Sequence, residues 1–368
     1  MYYHILMSEA CNSECRYCYK KSMEEFDNGL DKKFKFDFSS PESSTVDIKK
    51  LKKFLLKDKD AVLVFYGGEP LMEIEKIRRI MDEIHIPFRM QTNGKLLDKL
   101  PAKYVNRIKR ILISLDGDKK RTDFNRGEGT YDKVISNLNL IKENGYNGEI
   151  IARMTISQEH PDIYEQVLSL IKAGFTSIHW QIDAGFYKFD YNYEKFKTFS
   201  EEYNKSVSRL IEYWINEMKK GNVIRIYPFI AIIDSLLKGE STGLRCGAGY
   251  EGYAISTDGK VVACPIMNCI EDFKAGDLNS EPKELKKFDV GGKCKTCNYL
   301  SLCGGRCLYS NKAELWPEKG TEQICNTIKH LIDELKAKLP KIKDLIDQKI
   351  ISKKQFTYEK YFGPEIIP

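Results

Sequence analysis

The sequence predicts an α/β fold: an open, partial (β/α)6 barrel of the TIM type, followed by a small cysteine-rich domain. Two observations predict it. β-rich runs alternate with helical patterns over roughly the first 220 residues, and the cysteines are confined to the two ends of the chain. Alternating strands and helices form βαβ units with a parallel sheet. Six such units are too few to close an eight-fold barrel, so we expect an open one.

The barrel elements follow one another without an internal repeat. We expect strands at Tyr3–Met7, Ala61–Tyr66, Pro87–Gln91, Arg110–Leu115, Glu149–Ile156 and Ser177–Ile182. Between and after them we expect helices at Val46–Leu56, Glu73–Ile84, Asp98–Ile108, Tyr131–Glu143, Pro161–Lys172 and Tyr193–Lys220. Pro161 suits a first helical turn, and Gly174 and Gly221 suit left-handed caps. The stretch Phe26–Ser44 is predicted to be a loop with one short strand at Lys33–Phe38.

The composition of the sequence changes from about Ser241, where glycines become frequent and the predicted strands become shorter. Asp258-Gly259 between two apolar runs predicts a hairpin turn. A charged amphipathic helix follows Cys325 to about Leu339, where Pro340 interrupts it. We therefore expect a barrel at 1–225, a linker helix at 226–240, the cysteine-rich domain at 241–330, and a C-terminal helix and tail at 331–368.

The composition narrows the class of protein. Apolar residues at 42% and charged residues at 30% exclude wholesale disorder. No apolar run approaches the roughly 20 residues of a membrane helix. The first strand begins at Tyr3, which leaves no room for a signal peptide, so we expect a cytoplasmic protein without a membrane partner. A net charge of +6 is too weak to indicate a nucleic-acid partner.

The first cysteine group is Cys11, Cys15 and Cys18, spaced C-x3-C-x2-C directly after a predicted strand. In a reducing compartment clustered cysteines bind metal more often than they form disulfides. Three thiolates hold three irons of a cubane and leave the fourth iron without a protein ligand. The alternative is a zinc site that takes a fourth ligand such as His4.

With Tyr17 before the last cysteine, the segment Cys11–Cys18 resembles the hallmark of the radical S-adenosylmethionine (radical SAM) superfamily. The resemblance implies a [4Fe–4S] cluster whose open iron chelates S-adenosylmethionine and reduces it to an adenosyl radical. It also implies that Gly67-Gly68-Glu69-Pro70 binds the methionine ammonium, while Arg153 or Arg126 pairs with the carboxylate. Each motif is also a common turn or cap. The implied cofactor contacts are Tyr17, Gly67, Gly68, Glu69, Asn93, Ser114, Asp116 and Arg153.

Seven cysteines near the C-terminal end resemble the SPASM extension of radical SAM enzymes: C-x(9–15)-G-x4-C, then C-x2-C-x5-C-x3-C, then C. The alternative is a zinc ribbon. The resemblance implies two auxiliary [4Fe–4S] clusters, hence three clusters in all. Auxiliary cluster II takes Cys294, Cys297, Cys303 and Cys325, and auxiliary cluster I takes Cys246, Cys264 and Cys307. Cys269 is the fourth ligand of cluster I, or that cluster keeps an iron open for substrate. The non-functional alternative for Cys269 is a small buried hydrophobic residue.

Enzymes of this kind mostly modify peptides or proteins, by cross-linking, dehydrogenation, excision or decarboxylation. The resemblance therefore implies a peptide or protein substrate and a reductant such as ferredoxin or flavodoxin. With a first strand at Tyr3, we expect that a separate leader-binding protein presents the peptide or that the barrel mouth reads it. Asp116, His179, Asp183 and Tyr187 lie at or near strand ends, where capping or packing is the commoner role, so no catalytic base is assigned.

Three alternatives remain open. A sulfatase-maturing enzyme makes formylglycine, but such enzymes typically carry Asp after the second SPASM cysteine, and here Pro265 follows Cys264. Decarboxylation of a haem precursor is a second. The third alternative, from another functional class, is a tRNA-modifying protein or a binding protein whose fold is stabilised by zinc. Reductive cleavage of S-adenosylmethionine by the reconstituted protein would separate the radical enzymes from a zinc-stapled one.

Overall fold

The structure, a computed structural model, describes residues 1–19, 29–183, 192–314 and 316–368. The chain divides into two compact units. The first comprises Met1–Leu115, Lys119–Ile151 and Gly247–Asp289, and the second comprises Asp116–Asp118, Ala152–Cys246 and Val290–Pro368. In the described parts of the chain, no helix has both the length and the apolar character that crossing a bilayer requires.

Strands and helices alternate through the described residues. The strands are β1 (Tyr2–Leu6), β2 (Val62–Tyr66), β3 (Phe88–Thr92), β4 (Ile108–Ser114), β5 (Glu149–Ile156), β6 (Ser177–Ile182), β7 (Arg225–Ile226), β8 (Gly252–Ile255), β9 (Lys260–Val262) and β10 (Lys274–Asp277). The helices are α1 (Ile48–Leu55), α2 (Ile74–Glu83), α3 (Ala102–Val105), α4 (Lys119–Arg126), α5 (Thr130–Glu143), α6 (Ile163–Lys172), α7 (Tyr193–Lys219), α8 (Tyr227–Lys238), α9 (Leu300–Cys303), α10 (Leu308–Ala313) and α11 (Glu318–Asp347).

A mostly parallel sheet forms the centre of the first unit, with the strand order β10-β9-β8-β1-β2-β3-β4. Strands β8 and β1 to β4 pair in parallel. The pairs β8–β9 and β9–β10 are antiparallel. Leu63, Val64 and Phe65 in β2 are completely buried, because a parallel sheet is covered on both faces. The carboxyl ends of these parallel strands lie at one edge of the sheet. Proteins built from βαβ units usually bind their ligands at that edge.

Helices and strands also alternate in the second unit, where β6 pairs in parallel with β7. Helix α7 packs against α6 and α11, and α8 packs against β6. The indole ring of Trp214 on α7 contacts the ring of Phe229 on α8 edge to face, with centroids 5.3 Å apart. Large buried aromatic side chains such as these contribute strongly to the stability of a core.

Several predicted elements have different bounds in the structure. The helix predicted over Asp98–Ile108 is reduced to α3, because Pro101 disfavours a helical backbone at Leu100 before it. Asp162 caps α6, so Pro161 lies just outside that helix. The strand predicted at Lys33–Phe38 is a single bridge between Phe36 and Ile270, and residues 26–28 of the predicted loop lie outside the described residues.

The C-terminal part also differs from the prediction. Helix α11 continues through Pro340, because its buried stripe includes Leu335 before the proline and Ile342 and Leu345 after it. The last residues, expected to be a tail, are packed: Phe356 and Ile367 are completely buried. Apolar burial thus outweighs the local cost of the proline and of ordering the last segment.

Candidate active site

The loop that carries Cys11, Cys15 and Cys18 follows β1 in the first unit. Its first half is held by Asn93, which follows β3. The Asn93 side-chain nitrogen donates to Asn12 Oδ1 at 2.7 Å, to Ser13 Oγ at 3.3 Å and to Cys11 Sγ at 3.8 Å. A charged or neutral sulfur that accepts an amide N–H is stabilised by it. Asn93, predicted as a cofactor contact, therefore also orders the cysteine loop.

The carboxylate of Glu69 holds the backbone of Asn93 in place. The Glu69 carboxylate is completely buried. It accepts hydrogen bonds from the backbone N–H of Leu71 at 3.0 Å, the Thr92 hydroxyl at 2.7 Å and the backbone N–H of Asn93 at 2.7 Å. Burial raises the pKa of Glu69 to about 7, against the lowering effect of these three donors. The carboxylate thus ties the loop after β2 to the loop after β3.

The two glycines before Glu69 have a structural reason as well as the predicted one. A Cβ at Gly68 would lie 2.4 Å from the carbonyl oxygen of Ala10, and one at Gly67 would lie 2.4 Å from that of Ser8. The Gly68 N–H donates to the Ser8 oxygen at 2.7 Å. Glycine is needed because the backbone leading to Cys11 approaches this closely.

The second half of the cysteine loop is held by α4. The Arg16 N–H donates to the Asn125 carbonyl at 3.0 Å, and the Arg16 guanidinium lies 4.1 Å from the ring centroid of Phe124. The Arg126 guanidinium lies 5.4 Å from the ring centroid of Tyr17. Helix α4 was not predicted from the sequence, because Phe124 is its only large apolar residue and it therefore shows no helical periodicity.

Ser114 ends β4 half-buried in the first unit, whereas Asp116 and Arg153 belong to the second. Asp116 is completely buried, and its Oδ1 accepts the Thr155 N–H at 2.9 Å. The Arg153 guanidinium donates to Gln181 Oε1 at 2.9 Å. Asp116 therefore supports β5, and the cofactor roles of all three residues remain predictions.

The residues left without a catalytic assignment differ in their surroundings. His179 is completely buried, and burial followed by the charge of Arg153 lowers its pKa well below the usual range. The Asp183 N–H donates to the Ile156 carbonyl at 2.8 Å. Tyr187 lies outside the described residues. A neutral, completely buried imidazole within β6 is compatible with a packing role for His179.

Five of the C-terminal cysteines, Cys294, Cys297, Cys303, Cys307 and Cys325, line a cavity of about 130 Å³ in the second unit. This cavity is several times the volume that one water molecule needs. Burial is the main cause that raises the pKa of Cys294, Cys303 and Cys325, that of Cys303 to about 11, and neighbouring cysteines raise each of them further. Cys294, Cys297, Cys303 and Cys325 are the four predicted as ligands of auxiliary cluster II, whereas Cys307 was predicted for cluster I. This donor set, five soft thiols around one cavity, fits an iron–sulfur cluster.

Polar groups surround the same cavity. The Asn311 side-chain nitrogen donates to Cys294 Sγ at 3.5 Å. Lys329 and Arg306 lower the pKa of Cys325 against the larger effect of burial. Cations and amide donors stabilise thiolates and the net negative charge of a thiolate-bound cluster. Asn311 was not predicted from the sequence, because a single asparagine carries no spacing signal.

The remaining cysteines are divided between the units: Cys264 and Cys269 belong to the first, and Cys246 and Cys307 to the second. Cys264 precedes a short 3-10 turn whose Met267 N–H donates to the Cys264 carbonyl at 3.0 Å. Burial, followed by the charges of Glu9 and Asp37, raises the pKa of Cys269 to about 11. Over the described ranges, no three His, Cys, Asp or Glu side chains are arranged to hold a single metal ion.

Known proteins resemble this chain over most of its length. The model of the radical SAM superfamily matches residues 5–171. A cysteine-type anaerobic sulfatase-maturating enzyme of Clostridium perfringens (strain 13 / Type A) is 26% identical over 332 residues, 82% of this chain and 86% of the relative.

Two solved structures share the fold. Native anSMEcpe with bound AdoMet superposes with a TM-score of 0.73 at 20% identity, covering 93% of this chain and 99% of that chain. Streptococcus suis SuiB bound to precursor peptide SuiA gives a TM-score of 0.53 at 17% identity, covering 83% of this chain and 71% of that chain. The shared fold confirms the predicted α/β architecture with a parallel sheet.

Proposed function

We propose that this chain, an enzyme with a radical SAM domain over residues 5–171, modifies a peptide or protein side chain oxidatively. The reaction would start with reductive cleavage of S-adenosylmethionine to a 5′-deoxyadenosyl radical, which removes a hydrogen atom from the substrate. The observation that carries the proposal is the Cys11–Cys18 loop, held from one side by Asn93 and from the other by Asn125. The superfamily match over this loop supports the same chemistry.

The residues of the first site have assigned roles in this proposal. Cys11, Cys15 and Cys18 would hold a [4Fe–4S] cluster with one open iron, which supplies the electron when the cluster is bound. Asn93 and Glu69 keep the loop in place, and Gly67 and Gly68 allow its close approach. The proposed cofactor contacts are Tyr17, Gly67, Gly68, Glu69, Asn93, Ser114, Asp116 and Arg153.

We propose two auxiliary [4Fe–4S] clusters that take the second electron from the substrate radical. Cys294, Cys297, Cys303 and Cys325 would hold cluster II, and the cavity that they line together with Cys307 supports this assignment. Cluster I would use Cys246, Cys264 and Cys307, with Cys269 as a fourth ligand or an iron left open. The domain boundaries at 225, 240 and 330 belong to the same proposal.

The substrate class rests on proteins of the same fold. SuiB was solved with its precursor peptide, which supports a peptide as the substrate here. A reductant such as ferredoxin or flavodoxin and a separate leader-binding protein are further parts of the proposal. Formylglycine formation is the second candidate function, favoured by the sulfatase-maturating relative. Pro265, which opens a 3-10 turn after Cys264, stands where that reaction would need a base.

The test is anaerobic reconstitution with iron and sulfide, followed by reduction and addition of S-adenosylmethionine. We expect 5′-deoxyadenosine from the native chain and none from the triple variant of Cys11, Cys15 and Cys18 to Ala. Short peptides encoded beside this gene and a sulfatase peptide would then be compared as substrates by mass spectrometry. A fully loaded native protein that produces no 5′-deoxyadenosine would contradict the proposal.

A further inference from the structure

Arg245 is a buried cation in the second unit, and only 2% of its surface is exposed. Its Nε and Nη2 donate to the Leu302 carbonyl at 2.9 and 2.6 Å. Nη1 donates to the Ala231 carbonyl at 3.1 Å and to the Tyr358 hydroxyl at 3.3 Å, and Nη2 donates to Ser235 Oγ at 3.3 Å. The five N–H groups of a guanidinium are thus all directed at protein acceptors, as a buried arginine requires.

The position of this guanidinium in the sequence connects it to the cysteines. Arg245 immediately precedes Cys246, and its main acceptor, Leu302, immediately precedes Cys303. The bidentate contact therefore joins a segment assigned to cluster I to one assigned to cluster II. A lysine in this place could not make the paired contact, because its three donors lie on one atom.

The backbone joins the same two segments independently. The Thr242 N–H donates to the Ser301 carbonyl at 2.8 Å. Gly304 has φ +71, and a Cβ there would lie 1.9 Å from the Gly243 carbonyl oxygen. Residues 242–246 and 301–304 are consequently packed backbone against backbone. The Arg245 side chain adds its hydrogen bonds to the Leu302 carbonyl.

The last residues of the sequence complete the surroundings of Arg245. The ring of Tyr358 packs edge to face on Tyr227, with centroids 6.4 Å apart. Glu365, which is buried, accepts the N–H groups of Tyr361 and Gly363. The charge of Arg245 lowers the pKa of Glu365 against the larger, raising effect of burial.

We propose that Arg245 is a positioning residue for the auxiliary clusters and that the segment 358–365 holds it in place. The inference rests on the proposed function, because the cysteines concerned are the ligands assigned there. Moving either cysteine-bearing segment by a fraction of an ångström changes the sulfur positions that a cubane requires. The last segment is therefore part of the cluster-binding machinery and not a loose tail.

The test compares Arg245→Lys with native protein after anaerobic reconstitution. We expect about twelve iron atoms per native chain and a loss of about four to eight in the variant. The electron paramagnetic resonance signal that responds to S-adenosylmethionine should stay, and the auxiliary signals should weaken or shift. Arg209→Lys is the control for an arginine-to-lysine change elsewhere in the second unit, where the Arg209 guanidinium donates to Glu165 and lies over the ring of Tyr164.

Full iron with unchanged auxiliary signals in Arg245→Lys would overturn this inference and leave the proposed function intact. A native chain that binds only about four irons would refute the auxiliary clusters themselves, and this inference with them. Tyr358→Phe removes one acceptor and provides a second test if Arg245→Lys does not fold. We expect it to lose auxiliary iron to a chelator several-fold faster than native protein. A native rate of loss would count against the role of the segment.

Discussion

The backbone N–H of Asn93 donates to the buried carboxylate of Glu69 at 2.7 Å. This hydrogen bond positions Asn93, which in turn holds the cysteine loop. The Asn93 side chain continues the connection to Asn12 at 2.7 Å. A chain of two hydrogen bonds thus runs from the loop after β2, through the loop after β3, to the loop after β1. Such a connection is sensitive to the loss of any member, because the remaining buried groups lose their partners.

Asn93→Ala should therefore loosen the first half of the cysteine loop. Losing the side-chain donors costs about 1–3 kcal/mol locally. We expect formation of 5′-deoxyadenosine to fall about tenfold or more, which that energy accounts for, together with weaker iron retention in the cluster that responds to S-adenosylmethionine. Asn311→Ala is the matched control, because the Asn311 amide forms its hydrogen bonds with Gly291 and Cys294 in the second unit. Native iron content and native cleavage rate in Asn93→Ala would contradict this role.

Gly68→Ala should displace the backbone before Cys11. The new Cβ would lie 2.4 Å from the Ala10 carbonyl oxygen, and that backbone cannot give way without moving the loop. We expect loss of the first cluster and destabilisation of about 1–3 kcal/mol, measured by iron content and urea unfolding. Gly129→Ala separates the two effects, because Gly129 has φ +75 and nothing within 4 Å of the added atom. It should cost about 1–2 kcal/mol and leave the cluster intact.

Glu365 should make stability depend on pH. Burial raises its pKa to about 7, above its unfolded value, so the stability it supports is complete in acid and is lost as pH rises through 7. We expect the unfolding free energy of the cluster-free, reduced protein to fall by on the order of 2–3 kcal/mol between pH 5 and pH 8 from this group. Glu365→Gln should remove that part of the slope. The unfolding free energy would be measured by urea titration at pH 5 and pH 8. The same difference between the two pH values in Glu365→Gln as in native protein would contradict the assignment.

Cys269→Ala tests the fourth ligand of cluster I. If Cys269 is a ligand, the variant should lose about four irons or show a changed auxiliary signal. Cys264→Ala is the reference, since Cys264 is assigned to the same cluster in either case. Unchanged iron content and signal in Cys269→Ala, next to a loss in Cys264→Ala, would remove Cys269 from the ligand set.

Local patterns predicted most of the barrel elements. The bounds of β5 and β6 agree with the prediction, because β5 is rich in β-branched and apolar residues and β6 carries an apolar residue at every second position. Gly174 and Gly221 both have positive φ after α6 and α7, as expected for left-handed caps. These features depend on short stretches of sequence, and short stretches carry enough information to predict them.

Other elements depended on tertiary packing. Helix α4 contains one large apolar residue, Phe124, and forms in a place that its own periodicity does not indicate. Helix α11 passes Pro340 because residues on both sides of the proline are buried. Packing energy from distant parts of the chain overrides a weak or contrary local preference, and no local pattern reports that energy.

The sequence by itself determined the spacing of the cysteines, the order of strands and helices, and hence the expected family and chemistry. Only the tertiary structure decided that Gly68 packs against Ala10, that Asn93 reaches Asn12, and that Arg245 joins Leu302 to Tyr358. The physical reason is that periodicity reports which side of an element is buried. It does not report which distant residue lies against that side, because the partner is selected by shape and hydrogen bonding in the folded chain.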